Sequence, residues 1–385
     1  MTLARLYDVI VVGAGFAGAA TALALAKAGV RKLLLVDRES RLGAQASGQN
    51  AAMIRTAVDS PLKAEYAQRG ALELARRSDE RAPGAAFFRR TGGILIGGAG
   101  AGTKTLVTKS ALRRPATAEL LDRCLFLHDT DLEDALEAPD DGVVDALSFL
   151  SDTVDEARRL GAEVAMGIDV HGPIVEHDRV RGIETAAGRI ECDALVVATG
   201  AWAGKWARAA DLELDCEPRL RHLITTAAPS TRIAADRERA KFGSAQSGDA
   251  GPWVWHLGVE IYFRPCGDGL LWSPCDEMVT APGDCRVRPG VEALFRSKAG
   301  RAFPRARNAH VTRVAAGQRT FVADENFLLG PDPRVRGWHW AVGLGGHGVT
   351  VSAEVGRRVA DALVGRRAIE TEFAWRPSLC REGAF

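Results

Sequence analysis

The feature that most constrains this chain is a short β-branched run, DVIVV at residues 8–12, followed by Gly13, Gly15 and Gly18 in G-x-G-x-x-G spacing. Such a run suits a strand buried on both faces. The first glycine allows a tight turn, the second lets backbone approach a pyrophosphate, and the third lets helix and strand pack closely. The alanine-rich stretch from Ala17 to Ala28 is predicted to be the helix after that turn. Its amino terminus, with Phe16 and Ala17, offers free N–H groups and a positive dipole end to a phosphate. Gly29 stops the helix, and a second strand, Lys32 to Val36, ends on Asp37, about twenty residues past the glycines, where a ribose contact is expected. Arg38 either flanks the adenosine or sits in solvent, and Glu39 is expected to be a solvated surface charge. The order of strand, glycines, helix, strand and acid predicts a doubly wound α/β dinucleotide-binding domain, without separating NAD from FAD.

Three later segments point to FAD. GAQASGQNAA, residues 43–52, is a run of small and amide residues suited to backbone lying close to a planar ring and a ribityl chain. LVVATG, residues 195–200, is a strand ending in a glycine turn, followed by Ala201, Trp202, Ala203 and Gly204. WAVGLGGHGVT, residues 340–350, is a strand and a glycine-rich turn leading into a last helix predicted over Ser352 to Leu363. N–H groups exposed there, with the helix dipole, would stabilise negative charge at the flavin N1/C2=O edge.

Composition narrows the class. With 385 residues, 46% hydrophobic and 26% charged, the chain has room for two interleaved domains with sizeable cores. A net charge of +1 with basic and acidic residues interspersed argues against a nucleic-acid partner. No segment nears the roughly twenty consecutive apolar residues of a membrane span, and no apolar run with a cleavage site opens the chain, so a cytoplasmic protein is expected. The seven cysteines form no CxxC pair, which leaves zinc, iron–sulfur and disulfide frameworks without their spacing; no metal is expected.

Taken together, the GAGFAG loop with Asp37, the SGQNAA segment, the ATGAWAG turn, RTFVADENFLLGPDP and GLGGHG resemble the D-amino-acid oxidase superfamily of FAD-dependent oxidoreductases. The likeness is to its branch of glycine and sarcosine oxidases and D-amino-acid dehydrogenases, D-arginine dehydrogenases included. It implies a Rossmann-like FAD-binding domain of the glutathione-reductase type in three pieces, 1–84, 143–213 and 321–385. An α+β substrate domain on a mostly antiparallel sheet would take 85–142 and 214–320. Independently, GGILIGG, RHLITTAA, WVWHLGVEIYFRP and GLLWSP read as strands punctuated by Gly and Pro. By family position the cofactor would also meet Gln45, Ala46, Ser47, Gln49, Asn50, Ala51, Ala52, the backbone of Val170, Thr199, Gly200, Trp202, Arg319, Gly345, Gly346, His347, Gly348, Val349 and Thr350.

The resemblance implies oxidation of a small amine or amino acid: hydride passes to flavin N5, and the imine is hydrolysed to a keto acid. Arg319 would grip the substrate carboxylate with two parallel charge-assisted hydrogen bonds, joined by the hydroxyl of Tyr262 in EIYFRP. Arg221 resembles a second substrate-facing arginine, and His347 would lie beside the flavin. Gln45 stands where D-arginine dehydrogenases carry a histidine. Arg89, Arg90, Thr91 and Gly92 stand where the acid that reads a cationic side chain is expected, so D-arginine is not the expected substrate. Trp253, Trp255 and His256 either wall a pocket or pack a core. No cysteine lies beside GLGGHG, and Cys380 falls beyond the last helix, so FAD is expected to be non-covalent. Oxygen, a quinone or a protein would reoxidise it. A 2-hydroxy-acid dehydrogenase and a non-catalytic flavin-binding assembly factor are the alternative readings.

Overall fold

A computed structural model describes residues 3–82, 84–97, 106–227 and 251–380. Within the runs read as substrate-domain strands, Gly98 and Ala228 lie outside the described residues. The chain begins with β1 (Leu6–Val12), helix α1 (Phe16–Lys27) and β2 (Leu33–Asp37). β3 (Met53–Ile54), helix α2 (Pro61–Asp79), β4 (Phe88–Arg89), β5 (Gly93–Ile96), β6 (Leu136–Ala138) and β7 (Gly142–Val144) follow. After the helix Ala146–Arg159 come β8 (Glu163–Met166), β9 (Val170–Val175), β10 (Val180–Thr185), β11 (Gly188–Val197) and β12 (Cys216–Thr226). The last third holds β13 (Trp253–His256), β14 (Ile261–Cys266), β15 (Gly269–Ser273), β16 (Met278–Val279) and the helix Val291–Ala302. It ends with β17 (Val311–Val322), β18 (Leu328–Pro331), β19 (Trp338–Val342) and the C-terminal helix Gly348–Leu363.

The nucleotide-type sheet runs β18-β19-β11-β1-β2-β8, with β10 and β9 added antiparallel beyond β11. Its centre is parallel: β1 pairs with both β11 and β2, and β11 with β19. Val9 to Val12 are buried on both faces, as a doubly covered parallel strand requires. One face carries α1 and the C-terminal helix, which presents Val351, Val355 and Val359. Their contact is backbone-close: a Cβ on Gly356 would lie 2.3 Å from Ala20 C. The C-terminal helix begins at Gly348, four residues earlier than the sequence pattern suggested, so the glycine turn leads straight into its first turn. α2 has a capped start, Ser60 Oγ accepting from Lys63 N at 3.1 Å with Pro61 as first helical residue.

The second sheet runs β16-β12-β15-β14-β13-β5-β6, with β17 also paired to β12. It is antiparallel except where β13 runs parallel to β5. Period-two alternation gives its faces different tasks. Ile94, Ile224, Val254, Phe263 and Trp272 form a core with Phe295 and Ala299 of the helix Val291–Ala302. The other face carries Leu223, Tyr262, Trp255 and Leu271. A small sheet, β3-β7-β4, links the two halves, and Trp253 Nε1 donates to Ile54 O at 3.1 Å across the same junction.

Asp141, fully buried beside this junction, accepts from Thr56 N at 3.2 Å and Thr56 Oγ1 at 2.8 Å. Burial outweighs these bonds and raises its pKa to about 7 from 3.8. A carboxyl whose folded pKa is raised favours the folded state at low pH, and that contribution disappears as pH rises through 7. Asp141→Asn keeps a carbonyl acceptor for Thr56 and abolishes the titration. Its melting temperature is therefore expected to match the parent near pH 4 and to exceed it at pH 8, which thermal unfolding at both pH values checks.

Candidate functional site

An elongated cavity of about 270 Å³ runs along the carboxyl ends of β1, β2 and β11 to the start of the C-terminal helix. This is the crevice in which open α/β sheets bind ligands. At one end Gly13, Gly15, Phe16 and Ala17 line it. Gly13 adopts φ +104°, and a Cβ there would lie 2.4 Å from Ala198 O. Gly18 does not line the cavity. A Cβ on it would sit 1.8 Å from Gly13 O, so its task is the close packing of α1 on the turn. No side chain caps α1, and Phe16 N donates to Ser47 Oγ at 3.0 Å. The remaining N–H groups of that first turn are free for an anion.

Asp37 closes the same end. Its carboxylate accepts from Ala14 N at 2.6 Å and Glu39 N at 2.8 Å, holding the glycine loop against the end of β2. Glu39 departs from the expectation of a solvated charge. It lines the cavity and accepts from Gln45 Nε2 at 2.8 Å, because the 43–52 segment folds back over β2. Arg38 lies 3.7 Å above the Trp202 ring, and both line the cavity with Val170, Thr199 and Gly200. Ala46, Ser47, Gln49 and Asn50 form the middle of the wall.

The far end is built from Gly345, Gly346, Gly348, Val349 and Arg319. A Cβ on Gly346 or Gly348 would meet nothing within 4 Å, so their backbone faces open space. No side chain caps the C-terminal helix either. Two uncapped helix amino termini thus address one cavity at separate places. This fits a ligand with a pyrophosphate at one point and a ring that gains negative charge at another, as FAD does. Ala51, Ala52, His347 and Thr350, also expected to meet the cofactor, do not line the cavity. Ala51 packs with Tyr262, and Thr350 Oγ1 accepts from Arg55 N at 3.3 Å.

Next to the far end lies a cationic, aromatic cluster. Arg319, 8% exposed, donates to Gln318 O at 2.9 Å and Gln49 O at 2.8 Å, and among the described residues it has no acidic partner. Arg221 pairs with Glu277, while its Nε is buried without an acceptor. Tyr262 faces both arginines; burial raises the pKa of its hydroxyl, which stays protonated. Burial, reinforced by Arg55 and Lys63, lowers the His347 pKa to about 3, so its imidazole is neutral. Of the tryptophan group, Trp255 packs against Tyr262 with ring centroids 5.1 Å apart and planes tilted by 53°. Trp253 is fully buried, and His256 turns to the other face against Phe303.

Arg55 was not apparent as a site residue from the sequence. It lies 4.3 Å over the Trp255 ring, within the same cluster. The signal was an arginine inside the run AAMIRTAV, apolar but for Arg55 and Thr56.

A family model described as "DAO: FAD dependent oxidoreductase" matches residues 8–362. The chain belongs to this family. Among its relatives, 4-methylaminobutanoate oxidase (formaldehyde-forming) of Paenarthrobacter nicotinovorans is 25% identical over 92% of this chain, which spans 43% of that protein's length. The chain likewise spans 42% of human dimethylglycine dehydrogenase. Monomeric sarcosine oxidase of Bacillus sp. (strain B-0618) is 25% identical, covering 94% of this chain and 93% of its own length. The fold is that of glycine oxidase from Geobacillus kaustophilus, with a TM-score of 0.74, 21% identity, and 98% and 99% of the two chains covered. Among the described residues there is no helix long and apolar enough to cross a membrane, and no group of metal-ligating side chains.

In a member of this family built this way, Gly18→Ala is expected to be far more damaging than Ser47→Ala. The first drives α1 off the glycine turn; the second removes one hydrogen bond, worth about 1 kcal/mol. Visible flavin absorbance per chain after purification checks this: several-fold lower for Gly18→Ala, near parental for Ser47→Ala.

Proposed function

We propose that this chain oxidises a small amine or amino acid at the carbon bearing nitrogen, using non-covalently held FAD. The observation that carries the reading is Arg319: a buried guanidinium at the far end of the cavity, bonded among the described residues only to backbone carbonyls and flanked by a protonated tyrosine. A buried cation without a counter-ion is costly, and a substrate carboxylate supplies the missing charge. FAD, when bound, supplies the acceptor for the two electrons and the hydrogen that leave the substrate carbon.

The residues of the chain bind, orient and hold protons. Arg319 grips the carboxylate, and the Tyr262 hydroxyl donates to it. Arg221 adds positive potential, and neutral His347 closes the wall beside the glycine turn without adding charge. Fixing the carboxylate sets the position of the α-carbon, which is the protein's main contribution to rate. No acid/base pair is required once the amine is neutral. Residues 1–84, 143–213 and 321–385 form the FAD-binding part, and 85–142 with 214–320 the substrate part, of which 98–105 and 228–250 lie outside the described residues. The reaction is assigned to the cytoplasm, with oxygen, a quinone or a protein as electron acceptor.

Anaerobic bleaching of the flavin by D-, L- and N-methyl amino acids, set against 2-hydroxy acids, tests the reading; reduction by hydroxy acids alone would replace it. Arg319→Lys is expected to lower kcat/KM by roughly 10- to 100-fold, because an ammonium cannot form the two parallel bonds. Acid precipitation is expected to leave the yellow colour in the supernatant. Colour in the pellet would show covalent attachment.

A further inference from the structure

Arg55 is not needed to hold the carboxylate assigned to Arg319, yet it stands in the same cluster. No hydrogen bond or ion pair holds its guanidinium among the described residues, and it lies 4.3 Å over the Trp255 ring. Trp255 in turn meets Tyr262, its cross-strand partner, in a tilted ring contact with centroids 5.1 Å apart. The ladder Arg55, Trp255, Tyr262 therefore places Arg55 on one side of the tyrosine ring system, and Tyr262 faces Arg319 and Arg221 at its hydroxyl.

The acids nearest Arg55, Asp59 and Asp141, favour its charge from a distance, but neither forms an ion pair with it. Asp59 pairs with Lys63 at 3.3 Å, and Asp141 is turned onto Thr56. Arg221 has Glu277. Two guanidinium groups, Arg55 and Arg319, thus face the cluster without a carboxylate of their own. Burial holds both below the ordinary arginine value, the signature of cations kept from water. A monocarboxylic amino acid compensates one of them and leaves the other uncompensated.

Resting on the amine-oxidation reading above, we infer that the substrate is an amino dicarboxylate, with one carboxylate on Arg319 and Tyr262 and the second on Arg55. Two sources share this chemistry: an amino acid with an acidic side chain, and a glycine or alanine carrying a carboxyalkyl group on nitrogen. Trp255 serves as the flat floor between the two anchors, and its cation–π contact with Arg55 holds that planar guanidinium in one orientation for a bidentate contact.

The test uses FAD-loaded enzyme and two readouts. In the first, dicarboxylates without an amine (malonate, succinate, glutarate) and their monocarboxylate counterparts (acetate, propionate, butyrate) are titrated against the flavin spectrum. The dicarboxylate of best length is expected to bind on the order of 30-fold more tightly than its counterpart, a preference that Arg55→Gln reduces to within about threefold. In the second, kcat/KM is compared for glycine against iminodiacetate and for alanine against aspartate and glutamate. Preference for iminodiacetate identifies the N-carboxyalkyl source, and preference for aspartate or glutamate the side-chain source. Arg55→Lys, which retains charge but not the planar fork, is expected to recover part of the preference. Equal binding of mono- and dicarboxylates, or a dicarboxylate preference untouched in Arg55→Gln, overturns the inference while leaving amine oxidation standing. Arg55-dependent dicarboxylate binding with no amine reducing the flavin upholds the two-anion site and overturns the amine reading instead.

Discussion

The architecture depends on how closely α1 can lie against β1 on one side and the C-terminal helix on the other. Gly18 against Gly13 O and Gly356 against Ala20 C are contacts in which any side chain would overlap backbone. Because those approaches are permitted, the free amino terminus of α1 and that of the C-terminal helix both open onto one crevice. Without the first, the glycine loop could not curl under Asp37. Without the second, the helix after GLGGHG would be displaced from the sheet, and its first N–H groups would face protein instead of the cavity. The dipoles then contribute fixed positive potential at two points with no titratable side chain, which makes this part of the site insensitive to pH.

Much of this framework was legible because it is local. A strand, three glycines, a helix and an acid at set intervals leave few other ways to fold, and the β-branched and aromatic runs in EIYFRP and RHLITTAA report strands directly, overlapping β14 and β12. The predicted core strands 8–12 and 195–197 lie paired in the sheet as β1 and β11. What escaped is non-local. Glu39 reads as a surface charge until the 43–52 segment folds back and brings Gln45 to it. Arg55 reads as one arginine among many until β13, some two hundred residues later, lays Trp255 beneath it. The start of the C-terminal helix was misplaced for a different reason: glycines lower helix propensity on average, while a helix whose amino terminus serves a ligand accepts them there.

The distribution of charge over the pocket face of the second sheet follows from its register. Arg219 lies directly across from Arg319 in the β12·β17 pair, and Arg221 is two residues further along β12, so three guanidinium groups share one face. Like charges across strands are unfavourable unless compensated. Compensation is graded. Arg219, nearer solvent, meets Glu217, Glu277 and Glu325 and covers the Phe321 ring at 4.5 Å. Arg221 shares Glu277, and Arg319 has only carbonyl oxygens. Were the arginines there to hold the sheet together, the acids would be expected with the most buried of them, where desolvation costs most. They are found with the most exposed. The fold thus carries an unpaid electrostatic debt at one place, next to the glycine turn, and an anionic ligand is the species that can settle it.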